Sequence, residues 1–297
     1  MNSILSYPER DPNYGSNKWR GNAAGQVIKD LIEHFEPKEF LDICEGSKTS
    51  RDVCKEMNLP YFGLDLNTGF DFTRDSAKNV IGREVDMCFS HPPYHDMIKY
   101  DSERAKHNIP KAQGMDISNC GSVEEFIELG HLMLLNMREA TVPGGTYCTL
   151  IGDYRKNGRF YSFQSDFIKM LPKNELISVT IKLQHNAASS FLKYTNSKSF
   201  VSIQHEYCLI WEKQFRTLAN ICFEKATEFK DNIQVTWKNY VRMSLMNLGG
   251  VSNLNSIYEE VYKVAGAKLT SNTRVKEKIR QVLQRHFVNV SRGVWSI

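Results

Sequence analysis

The segment SHPPYHDMIKY, residues 90–100, sets two successive prolines and a tyrosine directly behind the apolar run EVDMCFS (84–90). Proline fixes φ near −65° and removes an N–H, so His91, Pro92, Pro93 and Tyr94 hold a rigid backbone at a ligand face. Two other polar stretches have the chemistry of a binding crevice. EGSKTS (45–50) puts a glycine-containing turn before a helical pattern, where a ligand can approach backbone N–H groups, and Asp65 stands near the end of an apolar run, where a carboxylate can hydrogen-bond ribose hydroxyls. No metal site is expected. His91, His95 and Asp96 are close in sequence, but the Pro-Pro between the histidines forbids the helix that would align an i, i+4 pair. GDYRKNGRFYS (152–162) either offers Asp153, Arg155 and Lys156 to an anionic ligand or is a solvated turn, and QHN (184–186) and QHE (204–206) flank a polar loop. Residues 101–121 have the composition of a mobile loop that closes over substrate.

The elements that must position these residues follow from periodicity. AAGQVIKDLIEHF (23–35) places Val27, Leu31, Ile32 and Phe35 at helical spacing, and EFLDIC (39–44) is a short buried-strand run. Residues 49–57 read as a helix, 60–66 as a strand ending in an acid, and 84–90 as a third strand running into HPPY. Residues 122–140 carry the longest helical pattern, with Ser122 and Glu125 in capping-box spacing, followed by a turn and strand over 143–153. A helix around 161–171 precedes strands at 177–183 and 206–213, which have no helix between them and so pair antiparallel. Strands alternating with helices predict an α/β fold: a doubly wound, mostly parallel sheet covered on both faces, with its ligand beyond the strand C-termini.

The 297 residues suit one sizeable domain and a small appendage, and 41% apolar with 24% charged residues exclude a disordered or collagen-like chain. Seven scattered cysteines without a C-x-x-C pair suggest neither a disulfide framework nor a zinc knuckle, and read as reduced thiols in a cytoplasmic protein. No run approaches the ~18 apolar residues of a membrane helix, and MNSILSYPERD has no leader pattern. The net charge of +4 is unevenly placed. Residues 231–297 carry ten Lys/Arg against four Asp/Glu, a local +6 that leaves −2 for residues 1–230.

Over about residues 15–213 the chain resembles the DNA amino-methyltransferases, enzymes that use S-adenosyl-L-methionine to methylate N6 of adenine or N4 of cytosine. HPPY resembles their Asp/Asn/Ser-Pro-Pro-aromatic turn, KWRGN (18–22) their cofactor-flanking motif, LDICEGSKTS (41–50) their Asp-x-Phe-x-Gly-x-Gly loop, and GLDL (63–66) their second-strand acid. The resemblance implies a seven-stranded methyltransferase sheet with a terminal antiparallel strand pair. It implies that Lys18, Trp19, Arg20, Asn22, Asp42, Glu45, Gly46, Ser47, Thr49, Ser50 and Asp65 hold the cofactor. His91, Pro92, Pro93 and Tyr94 become the catalytic turn: the side chain at 91 and the carbonyl of Pro92 accept hydrogen bonds from the amine, and Tyr94 stacks on a flipped base. Stacking returns roughly 1–3 kcal/mol of the cost of flipping. Two positions depart from the family. His91 replaces a charge-assisted acceptor by a neutral one, which costs about 1–2 kcal/mol, roughly ten- to thirty-fold in rate. Lys48 replaces the last loop glycine, a strained choice where φ is positive.

Residues 236–297 read as a separate unit after a linker over 221–235, with residues 1–220 as the cofactor-binding domain. Helical patterns lie in TWKNYVRMSLMNLGG, LNSIYEEVYKVAG and TRVKEKIRQVLQRHF, and FVNV-SRG-VWSI reads as a hairpin. In the third helix Val275, Ile279, Val282 and Leu283 share a face, while Arg274, Lys276, Lys278, Arg280 and Arg285 populate the remainder. Three helices and a hairpin resemble a winged helix, with the third helix as major-groove reader and Arg292 at the wing tip. The implied activity is site-specific methylation of double-stranded DNA, N6-adenine before N4-cytosine. Implied partners are DNA and a cognate restriction or defence system, with no membrane, in a monomer or dimer. Two further readings stay open: a catalytically impaired DNA-binding protein of methyltransferase shape, and an RNA methyltransferase.

Overall fold

The computed structural model describes residues 1–185, 201–214, 233–265 and 274–297. Asn186, the polar loop after it and most of the expected linker lie outside the described residues. The strands of the larger part are β1 (Ile4–Leu5), β2 (Phe40–Asp42), β3 (Tyr61–Gly63), β4 (Val85–Ser90), β5 (Thr141–Ile151), β6 (Tyr154–Lys156), β7 (Arg159–Tyr161), β8 (Leu176–Leu183) and β9 (His205–Glu212). Its helices are α1 (Gly25–Phe35), α2 (Thr49–Glu56), α3 (Ala77–Ile81), α4 (Tyr100–Lys106), α5 (Val123–Ala140) and α6 (Phe163–Met170).

Seven strands form one sheet in the order β1-β8-β9-β5-β4-β2-β3. β3, β2, β4 and β5 pair in parallel and β1 pairs in parallel with β8, while β9 runs antiparallel to both β5 and β8. The expected doubly wound sheet with its antiparallel pair is therefore present. Its seventh strand is the two-residue β1, which lies in a stretch with no strand pattern.

Alternate residues of each strand face opposite sides. Phe40, Met87, Phe89, Cys148, Leu150, Cys208 and Ile210 pack with Val27, Ile28, Leu31 and Ile32 of α1 and with Val53 of α2. Leu41, Cys88, Tyr147, Ile151, Leu209 and Trp211 pack with Phe126, Leu132, Met133 and Leu135 of α5 and with Phe163 and Phe167 of α6. α5 starts where Ser122 Oγ accepts the Glu125 N–H at 3.1 Å, while Glu125 Oε2 reaches back to the Gly121 N–H at 2.8 Å. Twelve of its eighteen residues are buried, Asn136 and Arg138 among them, as befits a central helix.

A buried ion pair joins α5 to the segment before β8. Arg138 Nε and Nη2 meet the two Glu175 oxygens at 2.9 and 2.7 Å, both side chains are fully buried, and the Tyr147 hydroxyl adds a third hydrogen bond at 2.5 Å. Such pairs persist only when every oxygen is satisfied. Cys54, Cys120 and Cys208 are free, and burial pushes each up to about 12, which keeps them as thiols. Among the described residues no helix is long and apolar enough to cross a membrane.

The C-terminal part consists of α7 (Ile233–Asn247), β10 (Val251–Asn253), α8 (Leu254–Ala265), α9 (Val275–His286), β11 (Val288–Ser291) and β12 (Val294–Ser296). β10 adds to the expected hairpin and makes a three-stranded antiparallel sheet ordered β10-β12-β11. α7 begins three residues inside the expected linker. Tyr240, Leu245, Ile257, Val261, Val275, Ile279, Val282 and Leu283 are buried and belong to the same continuous cluster as α5. Lys238 Nζ to Glu128 at 2.7 Å and Asn239 to His131 at 2.9 Å tie α7 to α5.

Candidate functional site

Beyond the C-terminal ends of β2, β3 and β4 the sheet opens into a cleft that is continuous with solvent. Trp19, Asn22, Asp42, Glu45, Gly46, Thr49, Ser50, Asp65, His91 and Pro93 all line it, although they come from separate segments of the chain. Asp42 is buried: Oδ1 accepts the Cys44 N–H at 2.9 Å and Oδ2 the Ser50 hydroxyl at 2.6 Å. Burial outweighs those bonds and raises its carboxyl to about 7. Asp65 accepts the N–H groups of Asn67 at 2.8 Å and Gly46 at 2.9 Å, which fixes the loop after β2 to the end of β3; burial raises its carboxyl as well. A carboxylate has about four acceptor sites, so each acid keeps capacity for a ligand hydroxyl.

The Glu45 carboxylate is already engaged, by Arg51 at 2.7 Å and Tyr61 at 3.2 Å, and it fills the space where a Cβ at Gly63 would stand. The backbone turns at Gly46 (φ 50°) and Lys48 (φ 71°), and Lys48 caps α2 in the left-handed region with its side chain exposed. The residue that departs from the resembled glycine thus occupies the conformation that glycine tolerates best.

The N-terminal segment crosses this loop. The Gly15 N–H donates to Asp52 at 2.8 Å and the Ser16 N–H to Ser47 Oγ at 3.1 Å, so Ser47 faces the segment and does not line the cleft. A Cβ at Gly15, where φ is 65°, would come within 2.3 Å of Thr49 Oγ1. Lys18 and Arg20 are exposed outside the cleft. Trp19 is buried, its ring 5.8 Å from Tyr100 and 5.4 Å from His107.

Residues 101–121 are not an open loop. α4 and a short turn at 117–119 pack against the cleft, and Tyr100, Arg104, Met115, Asp116 and Ile117 form its outer wall. Arg104 binds Asn67 at 2.6 Å, Asp101 at 3.1 Å and Asp116 at 2.6 Å. No sequence motif marks these residues as a site; the signal is the alternation of charge between Asp101, Arg104 and Asp116 in a stretch that retains Tyr100 and Met115.

The HPPY turn leaves the end of β4. His91 and Pro93 face the cleft, whereas Pro92 and Tyr94 do not line it. His91 Nε2 lies 2.9 Å from the Tyr94 hydroxyl, which donates to Glu206 Oε1 at 2.9 Å, and Glu206 Oε2 accepts from Lys182 at 2.8 Å. The Tyr94 ring packs on Gly152, where a Cβ would approach it to 2.7 Å. Burial lowers His91 to about 4, so the ring is neutral at pH 7. Burial alone would raise Glu206, but Lys182, His91 and the Tyr94 hydroxyl together hold it below the usual glutamate range.

The next turn departs further from the sequence expectation. Lys156 pairs with Asp96 at 2.6 Å, Asp153 is buried, and the Arg155 guanidinium lies over the Phe160 ring at 5.3 Å. Arg274, just before α9, and Lys276, Arg280 and Arg285 on it have exposed side chains and Lys278 is half-buried; Arg292 is exposed at the β11–β12 turn. Among the described residues no group of three metal-binding side chains occurs.

No family model matches the chain, and no curated protein matches it. Among solved structures it is similar to TrmN from Thermus thermophilus (12% identity, 65% of this chain and 50% of TrmN, TM-score 0.34). It is also similar to TehB from Haemophilus influenzae (11%, 66% and 64%, 0.33). TTHA0409 of Thermus thermophilus, provisionally a DNA modification methylase, gives 16% identity over 57% of this chain and 72% of its own, with TM-score 0.30. The aligned region spans half of TrmN and under two thirds of TehB. These likenesses are distant, and the functional reading rests on the chain's own residues.

Proposed function

We propose that this chain is an S-adenosylmethionine-dependent methyltransferase acting on an exocyclic amino group, N6 of adenine before N4 of cytosine, of a base turned out of duplex DNA. One observation carries the reading: the rigid turn after β4 presents His91 and Pro93 to the same cleft as Asp42, Asp65 and the Gly46 loop. The residues present fit the cofactor. Its sulfonium and ammonium charges suit a cleft lined by Asp42, Asp65, Asp71 and Asp116 with Arg104 as the lining cation, and Leu66, Phe70 and Phe72 supply apolar surface for its base. Asp65 would take the ribose hydroxyls, and the loop over 45–50 with Trp19 and Asn22 the amino-acid end. Bound there, the cofactor supplies an electrophilic methyl group.

The chain's own contribution is to hold the amine. A conjugated amine is a weak nucleophile, so acceptors must align its N–H groups and leave its lone pair directed at the methyl carbon. His91, neutral because buried, accepts without placing a cation beside the charge that develops on nitrogen. In the C-terminal part, three helices with a three-stranded sheet form a winged helix whose exposed α9 enters the major groove, with Arg292 on the wing. The division into residues 1–220 and 236–297 separates chemistry from duplex affinity in a cytoplasmic enzyme.

Transfer of a tritiated methyl group to mixed genomic DNA, followed by mass spectrometry of the released nucleosides, tests the reading and reports the base. Incorporation into N6-methyladenine is the expected result. A non-catalytic DNA-binding chain of the same shape is favoured by one observation, Lys48 held at φ 71°, and duplex binding without incorporation at saturating cofactor would decide for it.

A further inference from the structure

Proton counting along the turn after β4 gives an order to the hydrogen bonds that meet there. Glu206 sits on β9 beside Lys182 of β8, its register partner, and is 5% exposed; Lys182 keeps it ionised, so it only accepts. The Tyr94 hydroxyl has one proton. At 2.9 Å from Glu206 Oε1 that proton goes to the carboxylate, since the alternative sets two oxygen lone pairs against each other inside the protein. Tyr94 oxygen can then only accept from its other neighbours, the Gly152 N–H and His91 Nε2, the latter also at 2.9 Å. The neutral imidazole therefore carries its proton on Nε2, and Nδ1 is a bare lone pair. His91 lines the cleft, and Nδ1 has no hydrogen-bond partner among the described residues.

We propose that Glu206, acting through the Tyr94 hydroxyl, fixes the tautomer of His91 so that Nδ1 is the acceptor for an N–H of the substrate amine. This rests on the reading of the site as an amino-methyltransferase. It makes His91 the catalytic residue and Tyr94 and Glu206 positioning residues. The carboxylate that the turn lacks at position 91 is supplied from β9 instead, with Glu206 Oε1 3.9 Å from His91 Nε2. The Tyr94 ring, packed on Gly152 and outside the cleft lining, acts here through its hydroxyl.

Two readouts test the relay on the full chain. The first needs no substrate: with 15N-labelled histidine, two-bond proton–nitrogen spectra report which ring nitrogen of His91 is protonated, the signal being assigned by its loss in His91→Gln. The unsubstituted chain is expected to show the Nε2–H form alone, and Tyr94→Phe, which keeps the ring and removes the hydroxyl, to show a mixture with Nδ1–H. The second is turnover. Tyr94→Phe is expected to lose about tenfold or more in kcat with KM for S-adenosylmethionine unchanged, and Glu206→Gln, the second variant should the first fail to fold, to shift in the same direction. An Nδ1–H imidazole in the unsubstituted chain, or a Tyr94→Phe variant with unchanged tautomer and turnover, overturns the relay while leaving the methyltransferase reading in place. Methyl transfer to neither DNA nor RNA by the unsubstituted chain overturns that reading, and the acceptor role with it, even where the Nε2–H form is seen.

Discussion

Asp42, Asp65, Asp116 and Glu206 in the α/β part are enclosed and already accept hydrogen bonds from named partners, whereas the Arg280 and Arg285 side chains on α9 are exposed to solvent. An enclosed charge is unscreened, so its protonation and direction are set by the few groups that touch it. An exposed charge acts over a Debye length and fades with salt. The first arrangement suits a site that must place one proton on one atom; the second suits a surface that must hold a polyanion in register without reading its geometry closely.

The comparison breaks most visibly at the buried pair. Glu175→Ala takes the bidentate carboxylate from buried Arg138, leaving it Glu139 and the Gln214 carbonyl at 3.2 Å each, and is expected to cost up to about 3–5 kcal/mol in urea unfolding, while Arg285→Ala on α9 changes stability by less than about 0.5 kcal/mol. Activity separates the two regions next. His91→Leu is expected to lower methyl transfer about a hundredfold or more and to leave duplex affinity unchanged. The Arg280→Ala, Arg285→Ala double variant has the opposite profile: binding falls about tenfold, and the slope of log affinity against log salt flattens by roughly 0.9 for each lost phosphate contact. Equal losses of binding in both variants would show that the cleft, and not α9, holds the duplex.

A pH titration sharpens the contrast. The Asp42 carboxyl is raised by burial to about 7 in the folded chain, above the ~3.9 of an unfolded aspartate. Between those values the folded state binds a proton that the unfolded state has lost, so this contribution to stability is full at low pH and disappears as pH rises through 7. Asp42→Asn mimics the neutral form and can donate to Ser50. It is expected to gain about 1–3 kcal/mol over the parent at pH 8 and nothing near pH 4, read from denaturation midpoints. A smaller gain is expected at the loop: Lys48→Gly relieves a left-handed backbone and is expected to stabilise by about 0.5–1 kcal/mol.

Which parts were legible in the sequence follows from the range of the interactions that make them. α1 and α5 announce themselves by apolar spacing, and the crevice by three polar segments that each follow a strand, because those signals are local. β1 and β10 do not: two or three residues have no periodicity, and only pairing with β8 and β12 makes them strands. The outer wall was hidden for the same reason. Tyr100 and Arg104 read as a polar connection until Asn67 and Asp116, from either side in sequence, close around the guanidinium. Glu206 stands out in the sequence only as part of a loop flank, since its approach to Tyr94 depends on the register of β9 against β8, which no local pattern encodes. Lys48 was visible as a departure, and its φ of 71° is the cost that such a departure carries.

The apolar cluster that runs without interruption from α5 into α7, α8 and α9 also dictates how the molecule comes apart. Two regions that share buried side chains melt as one cooperative unit, so calorimetry should record a single endotherm whose van't Hoff and calorimetric enthalpies agree. A chain cut before α7 would leave the outer side of α5 uncovered, and heating would then meet aggregation before it met a clean transition.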